Sequence, residues 1–450
     1  MSRDRNQATP RIPRSARLAV ALLFFLNGTI LATWATRIPS IQARLALRPA
    51  ELGLALLGTA AGALVAMNVS GYLAARFGSR SVTIIAAVIL CLMLPLLALA
   101  PTLSSLVTAL VLFGASNGSM DVAMNTQGVA VERQYGRPIL NSFHACFSLG
   151  GLAGALIGGL VASRGIAPLP HFLGIALFCV ILTLSVARFL LPAGAEAQRT
   201  AVAFARPTRA ILALGLVAFC VVLGEGAMAD WSAIYLNGTL RTGAGLAAVG
   251  YAAFSVMMAM GRGVGDQLTA RLGARTMMQL GGIVAATGLT LALVVTWLPI
   301  TLLGFGLVGA GFSVVFPLTL SAAGRTSKQA AGTAIAAVAT CGYAGFLVGP
   351  PVIGFVADAL SLRIALSFVV VLSLCATVCA HAVSGDKLPE NGQSIEAPEH
   401  SESSNSLTHM GMTCGWSRIS CPRTNYNITC RSSFACSMTA AASSGRPVSW

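Results

Sequence analysis

Charge is what this sequence has least of. Asp, Glu, Lys and Arg make up 10% of its 450 residues, and only 14 residues are acidic, whereas a water-soluble chain carries about 25% charged residues to cover its surface. That shortage excludes a soluble globular enzyme of this length. The five histidines are scattered, and there is no His-Glu-x-x-His, no Cys-x-x-Cys and no phosphate-binding loop. Metal-assisted hydrolysis, dithiol chemistry and nucleotide cleavage therefore have no motif to rest on, and no cofactor or metal is expected. Basic runs interleaved with aromatics are lacking too, so the net charge of +15 does not mark a nucleic-acid platform. No loop is long enough for a soluble signalling domain, which counts against a transport-dead membrane sensor.

What is present is apolar. Hydrophobic residues reach 56% and the mean hydropathy is +0.78, so hydrocarbon is the solvent for most of the chain. Crossing a bilayer core takes about 20 helical residues. Apolar runs of that length lie near 17–38, 51–75, 81–100, 103–131, 139–163 and 170–191, and again near 209–236, 245–270, 276–297, 299–323, 329–357 and 361–383. The 47 glycines suit helices that must approach one another closely in lipid. With the N-terminus inside, 17 Lys and Arg residues, from Arg3 to Lys328, fall in cytoplasmic segments. Six fall in outer loops: Arg37, Arg44, Arg48, Arg164, Arg241 and Arg363. This bias predicts a multi-pass protein of the inner (plasma) membrane with both ends of the helical region cytoplasmic. The first run is followed by WATRIP, not by a small-residue cleavage site, so it is expected to remain as a span.

An internal repeat organises these spans. RFGSR at 76–80 returns as RLGAR at 271–275, an offset of 195 residues, and at that offset Gly114 falls on Gly309, Gly150 on Gly345, Gly154 on Gly349 and Gly159 on Gly354. The expected fold is an all-α membrane protein of twelve transmembrane helices, in two six-helix halves related by a pseudo-two-fold axis along the membrane normal, with a solute site between them. The boundaries read as a basic N-terminus (1–16), a first bundle (17–191), a cytoplasmic linker (192–208), a second bundle (209–384) and a polar Ser-rich tail (385–450). Seven of the eleven cysteines lie in apolar spans as small hydrophobes. The other four lie in the tail, which reads as disordered or as a frame-shifted end and is assigned no function.

GYLAARFGSR, at 71–80, resembles the loop motif between the second and third helices of the major facilitator superfamily. Gly71, Leu73, Arg76, Gly78 and Arg80 match it, while Ala75 stands where the family usually has aspartate. The second-half copy offers Asp266 with Arg271, Gly273 and Arg275. The stretches WATRIPSIQARL, NGSMDVAMNTQGVAVE and SFHACFSLGGLAGALIGG resemble, within that superfamily, the permeases related to fucose permease. The resemblance implies the major facilitator fold, a gating role for these loop residues, and a solute cavity lined by the first, fourth, seventh and tenth spans.

Ionisable groups at mid-membrane are expensive, so the few present carry the functional reading. Asp121 lies about 16 Å of helix from Glu132, near mid-membrane, and Glu225 lies roughly 24 Å into the seventh span. Asp230 is expected nearer the outer mouth. A carboxyl in an alternately wetted cavity can take a proton from one side and release it to the other, so these three are the candidates for proton coupling. Each also has a structural reading: Asp121 neutralised by Asn117 and Asn125, Glu225 capping a kink between Gly224 and Gly226. Asn27, Asn117 and Asn125 suit a hydroxylated solute; Trp34 and Trp231 can stack on one or belong to the interfacial belt. Arg262 reads as an i,i+4 partner of Asp266 or as an anion site. GGLAGALIGG lacks the proline of antiporter motifs, Ala155 taking its place, and Met124 replaces their arginine. Proton-coupled uptake of a small polar, sugar-like solute by a monomer is thus expected over proton-coupled efflux.

Overall fold

The computed structural model describes residues 14–135, 139–192, 208–326 and 331–382, without the side chains of Asn141, Asp266, Thr326, Ala331, Gly332, Thr333 and Ala382. Asp266, Lys328, Arg137, nearly all of the linker and the whole tail therefore lie outside the described side chains. The first half comprises α1 (Arg14–Arg44), α2 (Pro49–Phe77), α3 (Ser79–Leu99), α4 (Leu103–Tyr135), α5 (Leu140–Ser163) and α6 (Pro168–Ala187). The second comprises α7 (Arg209–Gly238), α8 (Ala244–Leu272), α9 (Ala274–Val294), α10 (Leu298–Phe312), α11 (Val315–Thr326), α12 (Ala331–Ala359) and α13 (Leu362–Cys379). Among the described residues twelve segments are long and apolar enough to span a membrane, α10 and α11 together forming the tenth.

That tenth span reads from sequence as one continuous helix but is broken at Ser313 and Val314. Pro317 supplies the cause. It has no N–H to offer the Ser313 carbonyl four residues earlier, and its ring crowds that carbonyl. The released end is closed by the Ser313 hydroxyl, which donates to the Ala310 carbonyl at 2.7 Å.

The two halves repeat the same backbone devices. Gly78 (φ 80°) joins α2 to α3 and Gly273 (φ 83°) joins α8 to α9, in a left-handed region where a Cβ is strained. Gly114 lays α4 on the Thr59 carbonyl of α2, and Gly309 lays α10 on the Phe254 carbonyl of α8. Thr59 and Phe254 are themselves 195 residues apart, so the repeat extends to the partner as well as the glycine.

We label as inner the end carrying the α2–α3 and α8–α9 turns, following the charge bias. At the opposite, outer end two of the six loop arginines reach backbone carbonyls, Arg44 from an exposed position and Arg37 from a buried one. The Arg44 guanidinium donates to the Ala98 carbonyl and, at 2.9 Å, to that of Ala100, closing the C-terminus of α3. Arg37 is 2% exposed and donates to the Ile166 carbonyl just beyond α5. Arg44 thereby places a cation where the α3 dipole is negative. At the inner end of the first half, Glu132 accepts from the backbone N–H groups of Ile139 and Leu140, both at 2.7 Å, and so caps α5.

Candidate functional site between the halves

The halves meet along two symmetry-related seams, α2 with α12 and α5 with α8, and α1 also packs on α7 and α8. The closest approaches lie toward the outer end. Gly53 meets the Pro350 carbonyl and Gly354, while Gly159 meets Gly245 and Ala248. Arg48, before α2, reaches Asp358 at the end of α12 at 3.9 Å.

Below these seams lie the polar side chains. Asn117, Asp121 and Asn125 fall on one face of α4 because each is one turn from the next. Asn125 donates to the Asp121 carboxylate at 3.0 Å and to its own i−4 carbonyl at 2.8 Å. Asn117 turns elsewhere: its oxygen accepts from Asn27 at 2.8 Å, and Asn27 also contacts the Met120 sulfur at 3.6 Å. Asn27, at 2% exposure, thus ties α1 to α4 inside the first half. Asp121 is half-buried, and Tyr343 of α12 lies within electrostatic reach of it from the opposite half.

A second group centres on Arg262 of α8. One guanidinium nitrogen approaches Glu225 of α7 at 4.0 Å, with side chains 24% and 20% exposed. The other donates to the Ser148 hydroxyl of α5 at 3.3 Å, crossing between the halves. Ser148 in turn donates to the His144 carbonyl, and His144 packs edge-on against Phe24. Arg262 therefore has a partner on α7 and another on α5, a cross-half role that an i,i+4 reading with Asp266 does not include. Asp230 is half-buried about 7.5 Å of helix beyond Glu225, and both acids lie within electrostatic reach of Tyr251.

Other sequence candidates sit away from this space. Trp34 and Trp231 are 4% and 1% exposed, packed in the core and not at an interfacial belt. The Trp231 indole N–H has no hydrogen-bond partner among the described residues. On the inner turn, Arg76 donates to the Tyr72 hydroxyl at 3.1 Å and lies over the Phe77 ring. Gly71 and Arg80 are half-buried there, and in the second-half copy Arg271 is exposed and Arg275 half-buried. Outside the seams, a cleft of about 370 Å³ opens between α1 and α7, lined by Pro39, Gln42, Leu47, Ile234 and Asn237 among others, none of them charged.

Three contributors escape sequence reasoning: Ser148, Tyr251 and Tyr343. A serine or tyrosine in an apolar span carries no pattern of its own, and Ser148 bonds back to its own helix as membrane serines commonly do. Gln127 is a structural contributor of the first half. Buried, it donates to Ser79 at 2.7 Å and to the Leu191 carbonyl at 3.0 Å, and accepts from the Leu191 N–H, pinning the start of α3 to the chain beyond α6.

Comparison with known proteins agrees with this architecture. The family model described as Major Facilitator Superfamily matches residues 20–345 and 214–445. An uncharacterized MFS-type transporter of Yersinia pestis is 37% identical over 372 residues, 82% of this chain and 96% of that protein. The membrane protein MosC of Rhizobium meliloti is 36% identical over 368 residues, 80% of this chain and 89% of that protein. Among solved structures, a mutant of the nucleoside transporter NupG superposes with a TM-score of 0.70 at 13% identity, covering 82% of this chain and all of that one. A bacterial homolog of the human lysosomal transporter Spinster, inward-facing and occupied, gives 0.65 at 15% identity over 82% of this chain and 96% of that one. The chain is a multi-pass membrane transporter, not an enzyme, and belongs to the Major Facilitator Superfamily.

Proposed function

We propose that the protein is a secondary transporter of the inner membrane that carries a small hydroxylated solute by alternating access, in symport with protons. The reading rests on one observation: half-buried ionisable side chains at mid-span, Asp121, Glu225 and Arg262, face the space between the halves. Such groups are retained in a membrane span at a cost of at least about 2.5 kcal/mol each on insertion scales, which argues for use. Asp121 serves as the main proton site. Glu225, with its charge shared by Arg262, and Asp230 are the further sites.

The amides of Asn117 and Asn125 supply donors and acceptors for hydroxyl groups. Buried Asn27, Trp34 and Trp231 support the cavity wall. Arg262 is the one cationic contact for a solute in this reading. Residues 17–191 and 209–384 rock as monomeric units about the seams, and the inner turns at Gly78 and Gly273, with Arg76, Arg80, Arg271, Arg275 and Asp266, gate the inner end. Ala155 and Met124, where antiporter motifs carry proline and arginine, favour uptake over efflux. In this orientation both ends of the helical region are cytoplasmic, and the solute class rests on the amides alone.

The test is transport in proteoliposomes of the purified full chain, with internal pH followed by a trapped dye while polyols, sugars, amino acids and cationic drugs are added singly. Proton flux in the direction of a sugar or polyol supports the reading. Opposed fluxes establish an antiporter, and no solute-dependent flux sinks proton coupling.

A further inference from the structure

A second polar site lies outside the space between the halves, buried in the outer part of the first half. Thr33, Arg37 and His171 are 0%, 2% and 5% exposed. Thr33 and Arg37 are one turn apart on α1 and so share a face. His171, in the first turns of α6, lies within electrostatic reach of Arg37. The Thr33 hydroxyl, the Arg37 Nε and both ring nitrogens of His171 have no hydrogen-bond partner among the described residues. Neither does any carboxylate among those residues pair with Arg37. Its hydrogen bond among those residues goes to the Ile166 carbonyl in the loop between α5 and α6, a neutral peptide group whose oxygen carries only a partial negative charge.

Two separate deficits therefore meet at one place. A guanidinium withdrawn from water keeps a positive charge that a carbonyl neutralises in part only, and an unpaired buried charge is costly enough that proteins pair it. Three N–H or O–H donors, one each from Thr33, Arg37 and His171, also lack acceptors, and buried donors are nearly always satisfied. A water molecule can answer the second deficit but not the first. One small anion answers both. We propose that Thr33, Arg37 and His171 form a structural binding site for a small monovalent anion of the halide class, held between α1 and α6 and independent of the transported solute.

The site bears on the transport cycle through its position. Arg37 ties the outer part of α1 to the α5–α6 loop, and α1 also packs on α7 and α8 of the other half. An anion there stiffens the outer part of the first bundle, which must move as one body if the halves rock.

The test is thermal unfolding of the purified full-length protein in detergent, titrated from sodium gluconate to sodium chloride at constant ionic strength. Unmodified protein should show a saturable rise in midpoint of roughly 2–4 °C. His171→Phe should reduce the rise, and Arg37→Met should abolish it. A midpoint equal in both salts overturns the proposal, as does an undiminished rise in Arg37→Met. If Arg37→Met does not fold, crystals of unmodified protein grown in bromide decide. An anomalous peak among Thr33, Arg37 and His171 supports the site, and a featureless map there refutes it.

Discussion

In the first half Gly114 lets α4 settle on the Thr59 carbonyl, and in the second Gly309 does the same with Phe254, yet the charges lying between these helices have no such counterparts. At the offset of 195 residues Asp121 falls on Phe316, while Glu225, Asp230 and Arg262 fall back on Ile30, Ala35 and Met67. Backbone devices are duplicated because both halves solve the same packing problem in lipid, where close approach replaces the hydrophobic drive. Ionisable groups are not: each costs insertion free energy, and on the proposed reading one copy suffices for a site shared by both halves. Scaffold and chemistry have thus separated within one repeat.

The largest effect should come from breaking the shared scaffold. Gly114→Leu and Gly309→Leu each push side-chain atoms into a helix backbone that cannot yield, a strain above about 3 kcal/mol. Both should lose monodisperse protein in size-exclusion chromatography, and to a similar extent. Survival of one variant alone would show that the halves do not bear equal packing.

Asp121→Asn tests the asymmetric side of the comparison. If Asp121 carries the proton, gradient-driven accumulation falls on the order of a hundredfold while expression and solute exchange persist. Phe316→Asn, at the equivalent position of the other half, should leave accumulation within about twofold of the unmodified protein. Joint loss of exchange and expression in Asp121→Asn would make the acid structural.

The scaffold was legible in the sequence because its signals are periodic or paired: span lengths, the two inner-turn motifs, and glycines recurring at one offset. The break in the tenth span was not read, although Pro317 was visible, since membrane helices often tolerate proline without breaking. The site was legible only as single residues. Asp121, Glu225 and Arg262 stand out by charge, but the tie of Arg262 to Ser148 joins residues 114 positions apart, and nothing periodic links them. Asn27 and the two tryptophans carry chemistry that suits a solute. Their burial follows from how α1 and α7 rotate within the bundle, which α1 and α7, apolar nearly all round, do not encode.

Two intermediate effects sharpen the contrast between halves. Gln127→Leu removes a buried amide that holds Ser79 and both backbone groups of Leu191, and the loss of the two Leu191 bonds alone should cost about 2 kcal/mol. Its counterpart is Ala322, so no corresponding loss is available in the second half. Glu225→Gln and Arg262→Gln should each cost about 1–2 kcal/mol, since either removes the opposite charge that a partly buried group approaches. In a chemical-denaturation cycle the double variant should lose less than the sum of the singles. Additive losses would mean that the 4.0 Å approach carries no coupling.

The smallest effect belongs to the outer seams, which look symmetric in backbone and asymmetric in charge. The α2–α12 seam carries the Arg48–Asp358 pair at 3.9 Å, whereas at α5–α8 Gly159 meets the Gly245 backbone and the Ala248 side chain. Because the Arg48 side chain is 69% exposed, water and salt screen the attraction, and Asp358→Asn should shift stability by about 0.5 kcal/mol or less, with the difference gone in high salt. Gly354→Val, which forces a side chain against Gly53 and the Pro49 carbonyl, should act more strongly and without regard to salt. A large, salt-sensitive loss in Asp358→Asn would mean that the outer end is held by charge on one side alone, and the two seams would then part at different ionic strengths.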